Sequence, residues 1–182
     1  MTEDAPFDFA VASDIEAELD RMAGEVMARW PGEMVVVGIR RRGVPLAEAL
    51  AERLEEAGTD IVAVQELELK RYSDELDVLH EQPSLNEPEE PLELEGRRVL
   101  LVDDVLYTGR TFARALDYVT EAGAEEVRCA VLAVRRGNEL PIEPDVVGFR
   151  CDIGAGGIVD VRIPPYEDRW AVELRKRDEG AD

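Results

Sequence analysis

The chain has 182 residues and carries 42 acidic against 21 basic side chains, a formal net charge of −21. Hydrophobic residues make up 45%, which excludes a disordered chain and suits one domain of ordinary size with a real core. So acidic a surface repels nucleic acid and anionic membranes, no apolar run is long enough to cross a bilayer, and the acidic N-terminus has no secretory pattern, so a cytoplasmic protein is expected.

Lys70 and Lys176 are the only lysines; every other base is arginine. A salt-rich source, where counterions screen self-repulsion, and a GC-rich genome each explain part of this bias. Cys129 and Cys151 lie far apart with no metal-type spacing, and Cys129 falls in an apolar run as a small core residue. His80 is the only histidine and sits in an expected loop, so histidine catalysis is not expected.

Residues 13–29 have helical spacing, with Ser13 placed as N-cap and Ile15, Leu19, Met22, Val26 and Met27 on the apolar side. Met34 to Ile39 reads as a buried strand. Arg40, Arg41, Arg42 and Gly43 follow, and a helix starts near Pro45, a good first-turn residue, and runs to Gly58. Three guanidiniums beside a helix start, in an acidic protein, point to an anion site, because arginine forks match phosphate oxygens in pairs. Residues 61–69 predict a strand that runs into Lys70 and Arg71. From there to Gly96 the chain is proline-rich, acidic and aperiodic, which reads as a loop.

The segment Arg98 to Thr111 is the most informative in the chain. Val99 to Val102 is a short β-branched run, read as a strand buried on both faces, and it ends in Asp103 and Asp104. Val105, Leu106, Tyr107, Thr108, Gly109, Arg110 and Thr111 form the connection to a helix over 112–122, which Gly123 stops. Such a loop lies at the carboxyl end of a strand and the amino end of a helix, where open α/β sheets bind ligands. Backbone N–H groups there favour an anion, Gly109 permits close approach, and the Thr108 and Thr111 hydroxyls add donors. Ionised Asp103 and Asp104 are pure acceptors, suited to the two hydroxyls of a ribose or to a metal held through water. A nucleotide hydrolase would also need Gly-x-x-x-x-Gly-Lys-Ser/Thr, which is absent. Residues 127–134 predict another strand ending at Arg135 and Arg136. Beyond it, 141–165 is rich in glycine and proline, with β-like pieces at 145–149 and 158–163, a turn at Gly154, Gly156 and Gly157, and a last strand near 170–174.

Asp-Asp-Val-Leu-Tyr-Thr-Gly-Arg-Thr at 103–111 resembles the phosphoribosyl pyrophosphate (PRPP) motif of type I phosphoribosyltransferases. Together with Val-Gly-Ile-Arg-Arg-Arg-Gly-Val-Pro-Leu-Ala at 37–47 and Arg-Gly-Asn-Glu-Leu-Pro-Ile at 136–142, it most resembles the bifunctional pyrimidine operon regulator/uracil phosphoribosyltransferase family (PyrR). The resemblance covers most of 10–175 and implies an α/β fold of the type I phosphoribosyltransferase kind: a mostly parallel sheet flanked by helices, in one domain with a core over about 10–140 and a small hood mainly over 141–175.

The resemblance assigns PRPP binding to residues 103–111 and pyrophosphate binding to the loop of Arg40, Arg41, Arg42 and Gly43. It makes Asp103, Asp104 and Arg42 the catalytic residues, gives Lys70 and Arg71 to a lid, and puts uracil against Arg136 and the backbone near Val159. The implied reaction joins N1 of uracil to C1 of PRPP and releases pyrophosphate, giving uridine monophosphate. Mg2+ is the implied cofactor, held mostly by substrate oxygens and water, with Asp103 and Asp104 as the protein carboxylates. Related 6-oxopurine enzymes usually carry an aspartate just before the Thr-Gly pair; Tyr107 stands there, which makes a purine substrate the weaker reading. The resemblance also implies a homo-oligomer and, as a different class of function, regulation by binding messenger RNA in response to uridine nucleotides, which the acidic charge disfavours.

Overall fold

The computed structural model describes residues 6–69, 91–135, 140–153 and 157–176. The order is β1 (Phe7–Val11), α1 (Ala12–Arg29), β2 (Met34–Ile39), α2 (Gly43–Glu56), β3 (Ile61–Leu67), β4 (Arg98–Leu106), α3 (Arg110–Glu121), β5 (Glu126–Arg135), β6 (Val146–Cys151), β7 (Gly157–Arg162) and β8 (Ala171–Lys176). Five strands form a sheet ordered β3-β2-β4-β5-β6, and every pairing in it is parallel. A second, antiparallel sheet ordered β1-β8-β7 forms the hood. The expected α/β architecture is therefore present.

The buried strands carry apolar residues on both faces, as a parallel sheet covered by helices requires. Val36, Leu100, Ala130 and Leu132 face α1 and α2, packing with Leu19, Met22, Leu46 and Leu50. Val35, Val37, Leu101 and Val131 face α3, packing with Phe112, Ala115 and Val119. Each fully buried leucine of this kind contributes about 2 kcal/mol by removal from water.

The strand order creates a switch point. From β2 the chain crosses through α2 to β3 on one side; from β4 it crosses through α3 to β5 on the other. Right-handed crossovers then put α2 and α3 on opposite faces, and a crevice opens between the carboxyl ends of β2 and β4. The register Gly38↔Val102 sets those two ends side by side.

Some local expectations are corrected. Ser13 is not the N-cap of α1. β1 runs straight into the helix, so extended Val11 occupies that place and its N–H donates to the Asp14 carboxylate at 2.9 Å. The β-like piece at 145–149, expected with the hood, is β6 and pairs with β5 in the large sheet. β1 was not expected at all; it pairs with β8 across nearly the whole chain. On the outer strand β6, Arg21 and Arg29 of α1 donate to the backbone carbonyls of Val147 at 2.5 Å and of neighbouring Asp145 at 2.8 Å.

Candidate active site

β4 does not stop at Val102. Its ladder with β5 continues past Asp103↔Val131 to Leu106↔Val134, so both aspartates sit within the strand, near its carboxyl end. Pairing with β5, which continues after the β2 ladder ends at Gly38↔Val102, overrides the low strand propensity of aspartate. Asp103 is buried, and one of its oxygens accepts the Asp104 N–H at 2.9 Å. Burial pushes the Asp104 carboxyl above the ordinary range, against the lowering effects of the Asp103 hydrogen bond and the Arg42 charge. Two adjacent carboxylates at a strand end suit a cationic or hydroxyl-rich ligand, because ionised carboxylates only accept hydrogen bonds.

The turn that follows ends at Gly109, whose φ of 87° is a conformation glycine adopts without strain. Gly109 is the N-cap of α3, and the Arg110 N–H points back to the Thr108 hydroxyl at 3.3 Å. Behind the turn, Leu140 donates its N–H to the Thr108 carbonyl at 3.1 Å, so the segment after β5 braces the loop. A Cβ on Gly109 would lie 3.2 Å from Leu140 Cβ. Tyr107 is half-exposed, and the Arg135 guanidinium lies 4.5 Å from its ring centre.

Across the crevice, the Arg40–Arg41 peptide is cis and Arg42 is the N-cap of α2. Gly43 lies against the aspartate strand: a Cβ there would come within 2.7 Å of the Val102 carbonyl and 3.3 Å of an Asp103 carboxylate oxygen. Gly38 does the same one layer down, where a Cβ would meet the Gly43 carbonyl at 2.6 Å. Two glycines thus allow the arginine loop and the aspartate pair to touch.

The three arginines have separate surroundings. Arg40 is exposed and pairs with Glu68 at 2.8 Å and Glu66 at 3.4 Å. Arg41 lies 5.4 Å from the ring centre of Tyr166. Arg42 is gripped by Glu167: its Nε lies 3.2 Å from each carboxylate oxygen, and its Nη2 donates to Oε1. Glu167 is further fixed by the Ile163 N–H at 2.9 Å. The Glu167 hydrogen bond holds the Arg42 pKa up, and the same bond holds the Glu167 carboxyl down. Sequence reasoning missed Tyr166 and Glu167, since no spacing links them to a loop 125 residues earlier.

Val159 is buried in the core that the hood shares with α1, α2 and one face of the large sheet, and it pairs with Leu174. β7 is the outer strand of the small sheet and contacts β4 and β5, so among the described residues one side of its backbone lies outside any ladder. Lys70, Arg71, His80 and Arg136, with Gly154 and Gly156, lie outside the described residues. Among the described residues no group of three or more His, Cys, Asp or Glu side chains could hold a metal, and no helix is long and apolar enough to cross a membrane. A shallow cleft lined by Trp30, Arg98 and Arg128 lies at the other, amino end of the sheet.

A switch-point crevice with paired aspartates on one strand end and arginines on the other is the arrangement of a phosphoribosyltransferase. Residues 11–164 match the phosphoribosyl transferase domain family, and the chain belongs to the type I phosphoribosyltransferases. Within that family it is similar to the bifunctional protein PyrR of Pelotomaculum thermopropionicum, with 42% identity over 88% of this chain and 90% of that one. The protein of the same name from Deinococcus radiodurans is 38% identical over 90% of this chain and 91% of its own. Among solved structures, a purine phosphoribosyltransferase from Pyrococcus horikoshii aligns with a TM-score of 0.62 at 25% identity, covering 78% of this chain and 86% of that one. A glutamic acid mutant from an analysis of an invariant aspartic acid in HPRTs aligns at 0.68 with 16% identity over 83% of each chain, a likeness of fold alone.

Proposed function

We propose that this phosphoribosyltransferase uses PRPP and uracil, forming uridine monophosphate and pyrophosphate. The observation that carries the reading is the contact between the two anion-facing loops: Gly43 beside Arg42 packs on Asp103, while Gly109 turns the same strand into α3. A ribose bound over Asp103 and Asp104 would have its 5-phosphate at the α3 amino end and its diphosphate toward Arg42. The 5-phosphate then takes backbone N–H groups and the Thr108 and Thr111 hydroxyls. As diphosphate leaves, positive charge develops on the ribose ring, and the two aspartates stabilise it without reorganising. Arg42 and the α2 amino end meet the departing anion. Holding the reactants in line does much of the remaining work.

The donor set also fits a divalent cation that arrives with its substrate. Asp103 and Asp104 would contact Mg2+ through water, most of its ligands coming from PRPP, and the ion would neutralise diphosphate charge. The open backbone edge of β7 near Val159 supports base recognition by main-chain groups, which read a pyrimidine edge without a charged side chain. Arg136 completes that base site in the proposal, and Lys70 and Arg71 the lid. Uracil is preferred over purines because Tyr107 stands where a purine-directed aspartate is expected.

The test is a base screen with purified protein, Mg2+ and PRPP. Labelled uracil should give uridine monophosphate, and Asp104→Asn should lose most of the rate while keeping the fold. Faster turnover of hypoxanthine or guanine would overturn the base assignment. A second, regulatory reading rests on the name bifunctional that the relatives carry. Filter binding of uridine-rich leader RNA at low salt, with and without uridine monophosphate, decides it, and a chain of charge −21 is expected to bind weakly.

A further inference from the structure

The contact between Arg42 and Glu167 joins two parts of the site that the chain keeps far apart. Arg42 starts α2 on the pyrophosphate side. Glu167 belongs to the segment between β7 and β8, on the hood. The grip is two-toothed: Arg42 offers the edge formed by Nε and Nη2, and Glu167 meets it with both oxygens. Glu167 cannot swing away cheaply, because the Ile163 N–H holds Oε2 at 2.9 Å. Its side chain is only 13% exposed, against 33% for Arg42. One residue earlier, Tyr166 lies beneath Arg41. Two consecutive hood residues therefore hold two consecutive arginines of the opposite loop.

A guanidinium has five N–H groups. With Nε and Nη2 committed to Glu167, the Nη1 pair forms no hydrogen bond with any described residue. A long, flexible side chain is thus fixed at one edge and left with donors at the other. We propose that Glu167 is a positioning residue for the phosphoribosyl transfer: it sets the Arg42 guanidinium so that Nη1 meets the diphosphate of PRPP. The inference rests on the reading of Arg42 as a pyrophosphate ligand. It makes the hood part of the diphosphate site as well as of the base site. It also separates Glu167 from a competing carboxylate that the diphosphate would have to displace, because its Oε2 is already anchored by Ile163 and the edge of Arg42 it holds is not the one offered.

The experiment measures PRPP and inorganic pyrophosphate affinity by calorimetry with Mg2+, and KM for each substrate, in the unaltered chain, E167Q and E167A. E167Q keeps a planar acceptor without the charge; E167A keeps neither. The expected result is a rise of about tenfold or more in the PRPP Kd and KM for E167A, the scale of one lost charge-assisted hydrogen bond. E167Q should fall between, a partial rescue, and KM for the base should stay within about twofold. Tighter PRPP binding by either variant would show a competing carboxylate and overturn the proposal. Equal rises in both KM values with a matching loss of thermal stability would show a merely structural strut and overturn it too. Absence of PRPP binding by the unaltered chain would instead remove the reading of the site, and the proposal with it.

Discussion

Gly43→Ala tests the contact on which the site is built. The new Cβ would sit 2.7 Å from the Val102 carbonyl, 3.2 Å from Asp103 Cα and 3.3 Å from an Asp103 carboxylate oxygen. Ordinary contact begins at 3.4 Å, and the closest atoms are backbone, so the start of α2 must retreat by about 0.7 Å. Overpacking of this kind costs about 1–3 kcal/mol, and alanine returns up to about 1 kcal/mol of helix propensity over glycine. The net loss is about 1 kcal/mol, or a Tm lower by about 2–4 °C for a chain of this size. Function should suffer more than stability, because misplacement near 1 Å costs on the order of 100-fold when reactants must be held in line. We expect kcat/KM for PRPP to fall by about tenfold or more. Gly24→Ala is the control: it lies inside α1 and its Cβ would meet nothing within 4 Å, so Tm should rise by about 1–3 °C with unchanged kinetics. The assays are thermal unfolding and steady-state kinetics with PRPP varied. A Gly43→Ala protein with kcat/KM within about twofold of the parent would refute the reasoning.

Asp104→Asn should stabilise the protein at neutral pH while removing activity. Burial raises the Asp104 pKa in the folded state, so its contribution to stability is present below the unfolded pKa and is lost as pH rises through the folded one. The asparagine variant should therefore unfold at higher temperature at pH 7, the difference shrinking towards pH 3; calorimetry across that range checks the sign. Glu167 behaves oppositely, since its pKa is lowered by Arg42: its contribution is present above the unfolded pKa and is lost on acidification through the folded one, and E167Q should flatten that part of the acid limb. The two thiols are buried, and desolvation pushes Cys129 to about 12 and Cys151 to about 11. A thiol reagent at pH 8 should label neither cysteine in the folded protein and both in denaturant.

The parts of this fold that were legible are those whose signal is local. Met34 to Ile39 is a continuous apolar run with a glycine where α2 packs, and β2 occupies those residues. The turn at Thr108 and Gly109 has the residue types its backbone needs, so the start of α3 could be placed within two residues. Distance along the chain hid the rest. β1 is short and its partner β8 lies at the far end, so nothing near Phe7 marks it as a strand. The continuation of β4 through Asp103 and Asp104 depends on the ladder with β5 rather than on aspartate propensity. Arg42 could be named as an anion ligand from its place before a helix, but Glu167, which holds it, carries no sequence mark of that role.

The guanidiniums of Arg21 and Arg29, bonded to carbonyls at and beside β6, have a consequence for how copies of this chain can meet. They guard one border of the large sheet by filling the Val147 acceptor on β6 and the Asp145 acceptor just before it, which a newcomer's N–H groups would seek. The opposite border, β3, has no such guard among the described residues, and Val62 and Val64 stand half-exposed along it. In the large sheet, strand addition is thereby favoured at the β3 flank over the β6 flank, where an incoming chain would have to displace an arginine from the Val147 carbonyl.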